Sequence, residues 1–476
     1  MLQKFYNHSV DFIQNPVESI GSLDDSEKLF GVRTKYYVFE GVKAIPYVKR
    51  KLADEMIKIE KDLHDSIHDS DTTKICFRAL PEEGIATDKL INIANIYDNL
   101  ETPKYLEGKV SGAIFSDESN EEEMKVYQAV FEKFAWSNPL WPKNRAYSRG
   151  VKKPEMILPS SAHAAFFKAA ELFNLTIIEI PVDLKTFKVP VNKVKKAINS
   201  RTALIVGSAP NFPYGTMDDI EALGKLGLKY DIPVHVDACL GGFLLPFVDC
   251  QKYGIPKFDF SVPGVISMSA DTHKYGLTPK GSSVVCYRNK SYLHHQYFCQ
   301  PDWQGGIYAS ATLEGSRAGL NIALCWSAML FYGKNHYSEK SKAVIETTRK
   351  IRNGILEIPQ LKLQGNSDIC IVSFTSDVID IHRFHDLMNK KGWQLSNLQF
   401  PSGVHLMVTL NHTKPGVAED MIEDMKEVVA TIVKTPNEKP EGAAALYGMV
   451  QKIPDRSIIK NFANAYLDAC YTIPDF

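Results

Sequence analysis

The residues best suited to chemistry lie in two segments that each begin as an apolar strand. Ile232–Asp237 ends in a carboxylate, and Val265–Lys274 ends in an amine 37 residues further along the chain. A lysine amine can form a Schiff base with the aldehyde of pyridoxal phosphate. A carboxylate can pair with the protonated pyridine nitrogen and keep the ring an electron sink. Asp237 and Lys274 have the types for these roles, although a helix-capping aspartate and a surface lysine would show the same spacing.

Both segments lie in a region where short apolar runs alternate with helical stretches. Strands are predicted at six places: Met156–Leu158, Leu175–Ile180, Ala203–Gly207, Val234–Val236, Val265–Met268 and Ser282–Tyr287. Helices are predicted between them: Ala162–Leu172, Val191–Ile198 and Ile220–Tyr230. This alternation predicts an α/β fold whose mostly parallel sheet is covered on both faces. Ligands of such sheets bind beyond the carboxyl ends of the strands, where Asp237 and Lys274 are expected.

The pattern divides the chain into three parts. Residues 1–107 form an N-terminal helical extension, residues 108–330 the α/β domain, and residues 331–476 a smaller α+β domain. The last part is predicted to alternate helices and strands: Asn335–Leu356, Ile369–Phe374, Ile381–Lys391, His405–Leu410 and a helix from Val417 to Ile432. At about 150 residues per domain, a chain of 476 residues agrees with this division.

The N-terminal extension contains one amphipathic pattern. Its apolar residues recur at helical spacing next to a basic cluster: Val48, Leu52, Met56, Ile59 and Leu63 beside Lys49, Arg50 and Lys51. The helix packs on the body of the protein with a solvated basic end, or it makes a peripheral contact with a membrane surface. No window approaches the roughly 18 apolar residues of a membrane-spanning helix, so no span is predicted.

Composition excludes other classes of function. The 55 basic and 56 acidic residues give a net charge of −1, which offers no general reason to bind nucleic acid. The eight cysteines form no C-x-x-C pair, which argues against a metal site of the zinc type. Their scatter is typical of reduced thiols in a cytosolic setting.

Three strings around the candidate residues resemble the sphingosine-1-phosphate lyases, a family of the pyridoxal-phosphate decarboxylase-like group. They are His235–Phe243, Ser269–Gly276 and Pro279–Ser283. Further stretches match as well: Ser161–Phe166, Gly207–Pro213, Trp303–Ser310, Lys391–Trp393 and Ala445–Met449. The resemblance runs from about residue 79 to the C-terminus with one gap. It implies a fold type I (aspartate-aminotransferase-like) large domain with a mostly parallel sheet, and a smaller α+β C-terminal domain.

The same resemblance implies roles for individual residues. Lys274 carries the cofactor, pyridoxal 5'-phosphate, and His273 helps to hold its phosphate. Asp237 pairs with the ring nitrogen, and His163 lies over the ring face, where a flat side chain can stack. Ser208 is a further cofactor-binding residue.

Other matched residues concern the substrate and a second subunit. Gly305 and Gly306 approach the phosphate of a neighbouring subunit, because glycine permits close approach of backbone amides to anions; a tight loop at a dimer contact is a compatible interpretation. Tyr214 and Tyr447 belong to the substrate pocket, where a hydroxyl can donate to a phosphate or relay a proton. As isolated tyrosines they would equally fit the core or its rim.

The implied reaction is a retro-aldol cleavage in sphingolipid catabolism. The amine of a phosphorylated sphingoid base displaces Lys274, and a base removes the proton of its C3 hydroxyl. The C2–C3 bond then breaks, which yields a long-chain aldehyde and phosphoethanolamine. The resemblance also implies a homodimer at the cytosolic face of the endoplasmic reticulum membrane, although this chain shows no transmembrane span.

The sequence departs from the family at the cofactor phosphate. Relatives carry Ser-Gly-Gly-Thr-Glu-Ser at a helix N-terminus whose amides bind this phosphate, whereas Val110–Gly150 contains only two glycines, Gly112 and Gly150. The matching stretches before and after that block meet at Pro142–Lys143, so several tens of residues are absent. Two polar groups of relatives are also replaced, a tyrosine by Phe115 and a histidine by Trp141.

Two origins of the gap remain open, a skipped exon or faulty gene model, and a genuine impaired paralogue. Alternatives to an active lyase follow from it. One is a non-catalytic chain that pairs with an intact lyase subunit. Another is an amino-acid decarboxylase of the same fold, which the Trp303–Ser310 and Ala445–Met449 motifs disfavour.

Overall fold

The computed structural model describes residues 79–98, 140–366, 368–438 and 455–471, together with Ile453 and several residues between 46 and 61. The described residues between 46 and 61 are helical, as the amphipathic pattern predicts, whereas its apolar positions lie outside the described residues. The chain falls into two compact units, and residues 80–90 and 116–476 form the larger one, which contains both sheets and every helix described below except α1 (Thr87–Asp98).

Six strands form the main sheet of the larger unit. They are β1 (Glu155–Pro159), β2 (Thr176–Ile180), β3 (Thr202–Ser208), β4 (Val234–Asp237), β5 (Val265–Ala270) and β6 (Val284–Tyr287). Their order is β2-β1-β3-β4-β5-β6. The first five are parallel, and β6 runs antiparallel to β5. The predicted mostly parallel α/β sheet is confirmed.

Helices cover both faces of this sheet. They are α2 (Leu140–Ser148), α3 (Ala165–Phe173), α4 (Val191–Ala197), α5 (Ile220–Tyr230), α6 (Cys250–Tyr253) and α7 (Lys290–Leu293). The strands alternate between two apolar clusters, so Ile157 and Ile205 pack on one face and Met156 and Leu204 on the other. Burial on both faces is the reason that the central strands β1, β3 and β4 are mostly apolar.

The strand order reverses between β1 and β3. The chain leaves β1 toward β2 at one edge and returns to β3 on the other side of β1. Loops that diverge from two neighbouring strands open a crevice at their carboxyl ends, which is the usual ligand position in open α/β sheets. The segments that follow β1, β3, β4 and β5 therefore converge on one place.

A second, antiparallel sheet follows. It has the order β11-β12-β10-β9, with β9 (Lys362–Leu363), β10 (Ile371–Thr375), β11 (Ser396–Leu398) and β12 (Gly403–Met407). Its helices are α8 (Gly319–Leu356), α9 (Ile381–Lys390), α10 (Val417–Lys434) and α11 (Arg456–Tyr471). The predicted α+β character of this part is confirmed. The domain boundaries themselves stay predictions, and α8 runs across residue 330.

Helix α8 is longer than the sequence predicts. Its continuous helix is interrupted at Gly333, which has φ 67° and ψ 172°. A Cβ at this position would lie 2.5 Å from the carbonyl carbon of Glu83, so only glycine fits. The predicted helix from Asn335 is the second half of α8, and the first half was not predicted. Several other elements were also not predicted, among them α1, β9, β11, the hairpin of β7 (Phe298–Gln300) and β8 (Tyr308–Ser310), and helix α11.

No helix in the described part of the chain is long and apolar enough to cross a bilayer.

Candidate active site

Asp237 is the last residue of β4 and is buried at the carboxyl end of the sheet. Its Oδ1 accepts hydrogen bonds from the backbone N–H of Cys239 at 3.1 Å and from the hydroxyl of Ser269 at 3.2 Å. Its Oδ2 accepts none from the residues that the structure describes. One oxygen therefore fixes the carboxylate, and the other can receive the proton-bearing nitrogen of a heterocycle.

Lys274 lies in the turn that follows β5, and β5 is the strand next to β4 in the sheet. Its Nζ is 3.3 Å from the Sγ of Cys239 and 3.1 Å from Oδ2 of Asp271. Because the backbone of Cys239 also binds Asp237, a single residue joins the amine to the carboxylate. The structure thus brings the two groups proposed from the sequence to one edge of the sheet.

Burial and charge act in opposite directions on the Lys274 amine. Burial lowers the pKa of Lys274, but the nearby Cys239 and Asp271 raise it by more, so that the net pKa lies above its ordinary value. Burial and the charge of Asp237 raise the pKa of the Cys239 thiol well above its usual range. The free lysine is therefore an ammonium ion that pairs with the Asp271 carboxylate.

A network of hydroxyls shapes the turn that carries Lys274. Ser282 Oγ lies 2.5 Å from Oγ1 of Thr272 and 2.9 Å from Oγ1 of Thr278. The backbone carbonyl of Ser282 accepts a hydrogen bond from Nδ1 of His273 at 2.5 Å. The ring of His273 is thereby fixed with its proton on Nδ1, and its Nε2 lies 3.9 Å from Oδ2 of Asp271.

Two tyrosines anchor the same turn from elsewhere in the fold. The hydroxyl of Tyr275 donates to the carbonyl of Val408, which follows β12, at 2.6 Å. The hydroxyl of Tyr337 in α8 donates to the carbonyl of Gly276 at 2.7 Å. Both tyrosines are buried. The position of Lys274 consequently depends on the second sheet and on α8 as well as on the main sheet.

His163 lies in the segment that follows β1, directly before α3. Its Nδ1 accepts the backbone N–H of Ala165 at 3.2 Å, which fixes the ring at the helix start. The ring is exposed and makes an edge contact with Phe212, with 6.1 Å between the ring centroids. Its placement at the crevice beside β1 is compatible with stacking on a planar cofactor.

Two buried serine hydroxyls at the strand ends have no hydrogen-bond partner among the described residues. Ser208 ends β3 and stands in register with Asp237, and Ser161 follows β1. An unsatisfied buried hydroxyl costs free energy, so such atoms point to a ligand that is to be bound. Ser208 was predicted as a cofactor residue. Ser161 was not, although it opens the matched Ser161–Phe166 segment that also contains His163.

These observations fit pyridoxal 5'-phosphate. The site supplies the groups that this cofactor requires. They are a free carboxylate oxygen for the ring nitrogen, an amine just after the adjacent strand, an imidazole at the rim, and unpaired hydroxyls at two strand ends. The described residues fit its ring better than its phosphate, since the helix N-terminus expected to bind the phosphate is absent from the sequence.

Helix α2 runs through the Pro142–Lys143 junction without a break. Pro142 lies in its first turn, where proline lacks only a hydrogen bond that no residue there could make. Arg149, directly after the other end of the helix, pairs with Asp231 at 2.8 Å. The two sides of the gap are therefore joined within a docked helix.

The other predicted residues make no hydrogen bond with Lys274 or Asp237 among the described residues. Tyr214 is buried against the ring of Phe187, 4.5 Å away, and burial raises the pKa of its hydroxyl. Gly305 and Gly306 lie in the exposed turn between β7 and β8, where Gly306 has φ 107°. No hydrogen bond or ring contact that the described residues make joins this turn to Lys274. Tyr447 lies outside the described residues.

His405 is a residue that the sequence did not single out. It lies on β12, is only 1% exposed, and its Nδ1 donates to the carbonyl of Pro213 at 2.8 Å. Its ring contacts Phe212 edge-on at 4.8 Å, and Phe212 in turn contacts His163. Its Nε2 is buried without a partner among the described residues. Only an isolated polar residue in an apolar strand pattern could have signalled it.

Known proteins share both this sequence and this fold. A family profile described as the pyridoxal-dependent decarboxylase conserved domain matches residues 98–377. The sphingosine-1-phosphate lyase of Drosophila melanogaster is 38% identical over 93% of this chain and 90% of the fly protein. The solved sphingosine-1-phosphate lyase of Burkholderia pseudomallei superposes with a TM-score of 0.62 at 31% identity, covering 84% of this chain and 98% of the bacterial one. The glutamate decarboxylase of Lactobacillus brevis shares the fold, with a TM-score of 0.52 at 21% identity over 64% of this chain and 71% of its own.

The alignment with the fly protein also bears on the gap. It has 492 positions, whereas 93% of this chain is about 443 residues. In total, about 50 positions of the alignment therefore face no residue of this chain. This length agrees with the several tens of residues that the motifs indicate to be absent. The identity, the coverage and the clustered Lys274 and Asp237 together show that the chain belongs to the sphingosine-1-phosphate lyase family, whose cofactor is pyridoxal 5'-phosphate.

Proposed function

We propose that this protein is an aldehyde-lyase that uses pyridoxal 5'-phosphate to cleave the C2–C3 bond of phosphorylated sphingoid bases. The products are a long-chain aldehyde and phosphoethanolamine, and the reaction belongs to sphingolipid catabolism. The observation that carries the proposal is the joining of Lys274 and Asp237 through Cys239 at the carboxyl edge of the sheet. The fly relative, 38% identical, is named for the same reaction class.

The residues of the site have separable tasks. The cofactor, when bound, supplies an electron sink for the charge left when the C2–C3 bond breaks. Asp237 Oδ2 holds the proton of the ring nitrogen, and Lys274 Nζ holds the cofactor in the resting enzyme. His163 covers the exposed ring face and limits the entry of water. Tyr214 and Tyr447 contribute hydroxyls to the substrate pocket.

The phosphate groups require donors from two sources. Ser208 supplies a side-chain donor within one chain, and His273 supplies a second through Nε2 when that nitrogen carries a proton. Gly305 and Gly306 supply backbone amides to the site of a second subunit, which makes the working unit a homodimer, or a heterodimer with an intact relative. The turn containing both glycines also carries Ile307, 84% exposed, next to exposed Trp303. Apolar residues grouped on a surface in this way favour burial against another protein chain.

The absent Ser-Gly-Gly-Thr-Glu-Ser block weakens the hold on the cofactor. A hydrogen bond to a charged group contributes roughly 1.5–3 kcal/mol. The loss of two such bonds to the phosphate therefore lowers affinity by on the order of a hundredfold or more. We expect a protein that is isolated largely without cofactor and that binds it when it is added in excess.

We also propose a site of action. We place the protein at the cytosolic face of the endoplasmic reticulum membrane, where its lipid substrate resides. Attachment is peripheral and uses the amphipathic pattern from Val48 to Leu63 with its basic cluster. Binding to anionic vesicles that is lost on neutralising Lys49, Arg50 and Lys51 would support this placement, and binding that survives would contradict it.

The experiment begins with one absorbance spectrum of the purified chain, recorded with and without added pyridoxal 5'-phosphate. Reduction with borohydride should then fix the label on the peptide containing Lys274. Lys274→Ala should abolish this label, whereas Lys257→Ala, which changes an exposed lysine, should leave it. A label on another lysine overturns the assignment.

Turnover decides the substrate class. Release of a long-chain aldehyde from a phosphorylated sphingoid base supports the lyase, and carbon dioxide released from amino acids alone overturns it in favour of a decarboxylase. A chain that stays colourless with excess cofactor but co-purifies with an intact lyase shows instead a non-catalytic partner.

A further inference from the structure

Asp271 is a second carboxylate at the site, to which neither the motif roles nor the proposed reaction assigns a task. It directly follows β5, and its Oδ2 lies 3.1 Å from Nζ of Lys274. The two side chains are 15% and 24% exposed, so solvent screens this pair only in part. The pair is also local, since the residues are three apart in one turn.

The carboxylate of Asp271 is oriented by a contact of its own. The hydroxyl of Ser283 donates to Oδ1 at 2.5 Å, which leaves Oδ2 for the lysine. The backbone N–H of Asp271 donates to the carbonyl of Cys239 at 3.3 Å, and that of Lys274 to the carbonyl of Asp271 at 3.2 Å. Asp271 is thus tied to both segments that build the site.

Lys274 meets two partners in this position. Asp271 and Cys239 lie within contact of its Nζ, and Asp237, His273 and Cys370 are further titratable groups around them. An ammonium ion held in this way has no lone pair, and only the neutral amine can attack an aldehyde. The raised pKa of Lys274 agrees with this geometry.

We propose that Asp271, oriented by Ser283, is a holding site that binds the Lys274 ammonium whenever this lysine is not attached to the cofactor. The inference rests on the proposed function, in which Lys274 is the cofactor lysine. On leaving the holding site Lys274 Nζ releases one proton to water, and on returning it takes one up from water; no electrons are exchanged. The holding site slows capture of the cofactor by the free protein and keeps the displaced lysine away from the substrate during turnover.

The test measures the Lys274 amine directly in the cofactor-free full chain. Trace acetic anhydride labels amines in proportion to their neutral fraction, and peptide mass spectrometry reports labelling of Lys274 across a pH series. Asp271→Asn keeps the shape of the side chain and removes its charge. Since one pKa unit is a factor of ten in the neutral fraction, we expect labelling at pH 8 to rise by about tenfold. Unchanged or lower labelling in this variant overturns the holding site.

A second variant keeps the charge and removes its orientation. Ser283→Ala frees Asp271 and should raise labelling of Lys274 by about two- to fivefold, on the premise that one hydrogen bond is worth about 1 kcal/mol. If Asp271→Asn does not fold, this variant tests the holding site by itself. Labelling of Lys274 equal to that of the parent chain would overturn the proposal. Lys257, in the same digests, serves as an internal reference whose labelling should not change.

Capture of the cofactor provides an independent readout. Asp271→Asn should develop the absorbance of bound pyridoxal 5'-phosphate faster than the parent chain at pH 7, because more of its amine is neutral. A purely structural role for Asp271 predicts slower or incomplete capture with the labelling profile of Lys274 unmoved. Failure of the proposed function is distinguishable, since borohydride would then mark another lysine whatever the labelling of Lys274 shows.

Discussion

The hydroxyl of Tyr275 donates to the carbonyl of Val408 across 2.6 Å, and this bond links the residue after Lys274 to the end of β12. Val408 N–H in turn donates to the carbonyl of Cys370, at the start of the neighbouring β10 region. The antiparallel sheet therefore holds the turn that carries the reactive amine. Changes in that sheet are expected to reach the site without touching it.

Removal of the Tyr275 hydroxyl tests this link. Tyr275→Phe leaves the buried carbonyl of Val408 without its side-chain donor, so the free energy of unfolding should fall by about 1–2 kcal/mol. Cofactor capture by Lys274 should slow in the same variant, because its turn loses an anchor. Urea unfolding and stopped-flow absorbance measure the two effects. The control is Tyr253→Phe, whose hydroxyl contacts Glu346 at the surface and whose loss should change stability by less than about 0.5 kcal/mol.

We expect His405 to stabilise the fold through the hydrogen bond that its Nδ1 proton makes with the carbonyl of Pro213. The amide nitrogen of asparagine can reach the place of Nδ1, and that of glutamine the place of Nε2. His405→Asn should therefore keep the bond to Pro213 and most of the stability, whereas His405→Gln should lose about 1–3 kcal/mol. Urea unfolding gives the stability, and the KM for a phosphorylated sphingoid base reports the loop that carries Phe212. Equal losses in the two variants would show that the bond to Pro213 is not what matters.

Asp237 is expected to control the chemistry of the cofactor more than the fold. Asp237→Asn keeps an oxygen for Cys239 and Ser269 but cannot hold a positive ring nitrogen. We expect turnover to fall by more than about a hundredfold, which is roughly 3 kcal/mol of transition-state stabilisation. The shift of the cofactor absorbance band provides a second measurement. Asp249→Asn, in an exposed helix cap, is the matched control, and a similar loss there would contradict the assignment.

Two buried groups should give the stability of the protein opposing responses to pH. Burial raises the pKa of Asp218 to about 6, so its contribution is present below the unfolded value of 3.8 and is lost as the pH rises through about 6. Burial lowers the pKa of His235 to about 4, against the pull of Asp237. The contribution of His235 is present above its unfolded value of 6.5 and is lost as the pH falls through about 4.

Between about pH 4 and 6 the two contributions offset each other in the parent chain. Asp218→Asn removes one of them, and the free energy of unfolding should then fall steadily by about 3 kcal/mol on acidification from pH 6.5 to 4. Urea unfolding at four pH values measures the slope, and Asp302→Asn, an exposed position, is the control. A slope like that of the parent chain would contradict this origin of the pH response.

The order of strands and helices could be predicted from local pattern. Helix α5 was predicted with its observed bounds, since Asp219 caps it and Leu223 and Leu226 keep one apolar face. All six strands of the main sheet were predicted because each contains a short apolar run, and the central strands are buried on both faces. The first half of α8 was missed, because its exposed Leu320 and Ile322 give no single apolar face.

Residues of the candidate site could be predicted from the sequence only where the residue type and a local motif indicate a chemical role. Asp237 ends one apolar strand and Lys274 closely follows the next, and a parallel sheet must bring such strand ends to one edge. Ser161, Asp271 and His405 carry no comparable signal, because serine, aspartate and histidine occur for many structural reasons. What marks them is an unpartnered hydroxyl, a 3.1 Å pair with an amine, and a buried ring bonded to a distant carbonyl.

The sequence by itself determined the fold class, the family and the chemistry of the lysine and the carboxylate, because strand periodicity and local motifs are properties of short segments. Only the tertiary structure decided that Cys239 joins these two groups and that Asp271 contacts the free amine. It also decided that His405 supports the segment after β3 and that Val408 supports the turn after β5. Contacts between residues as far apart as Tyr275 and Val408 depend on how sheets pack. No local pattern in the chain encodes that packing.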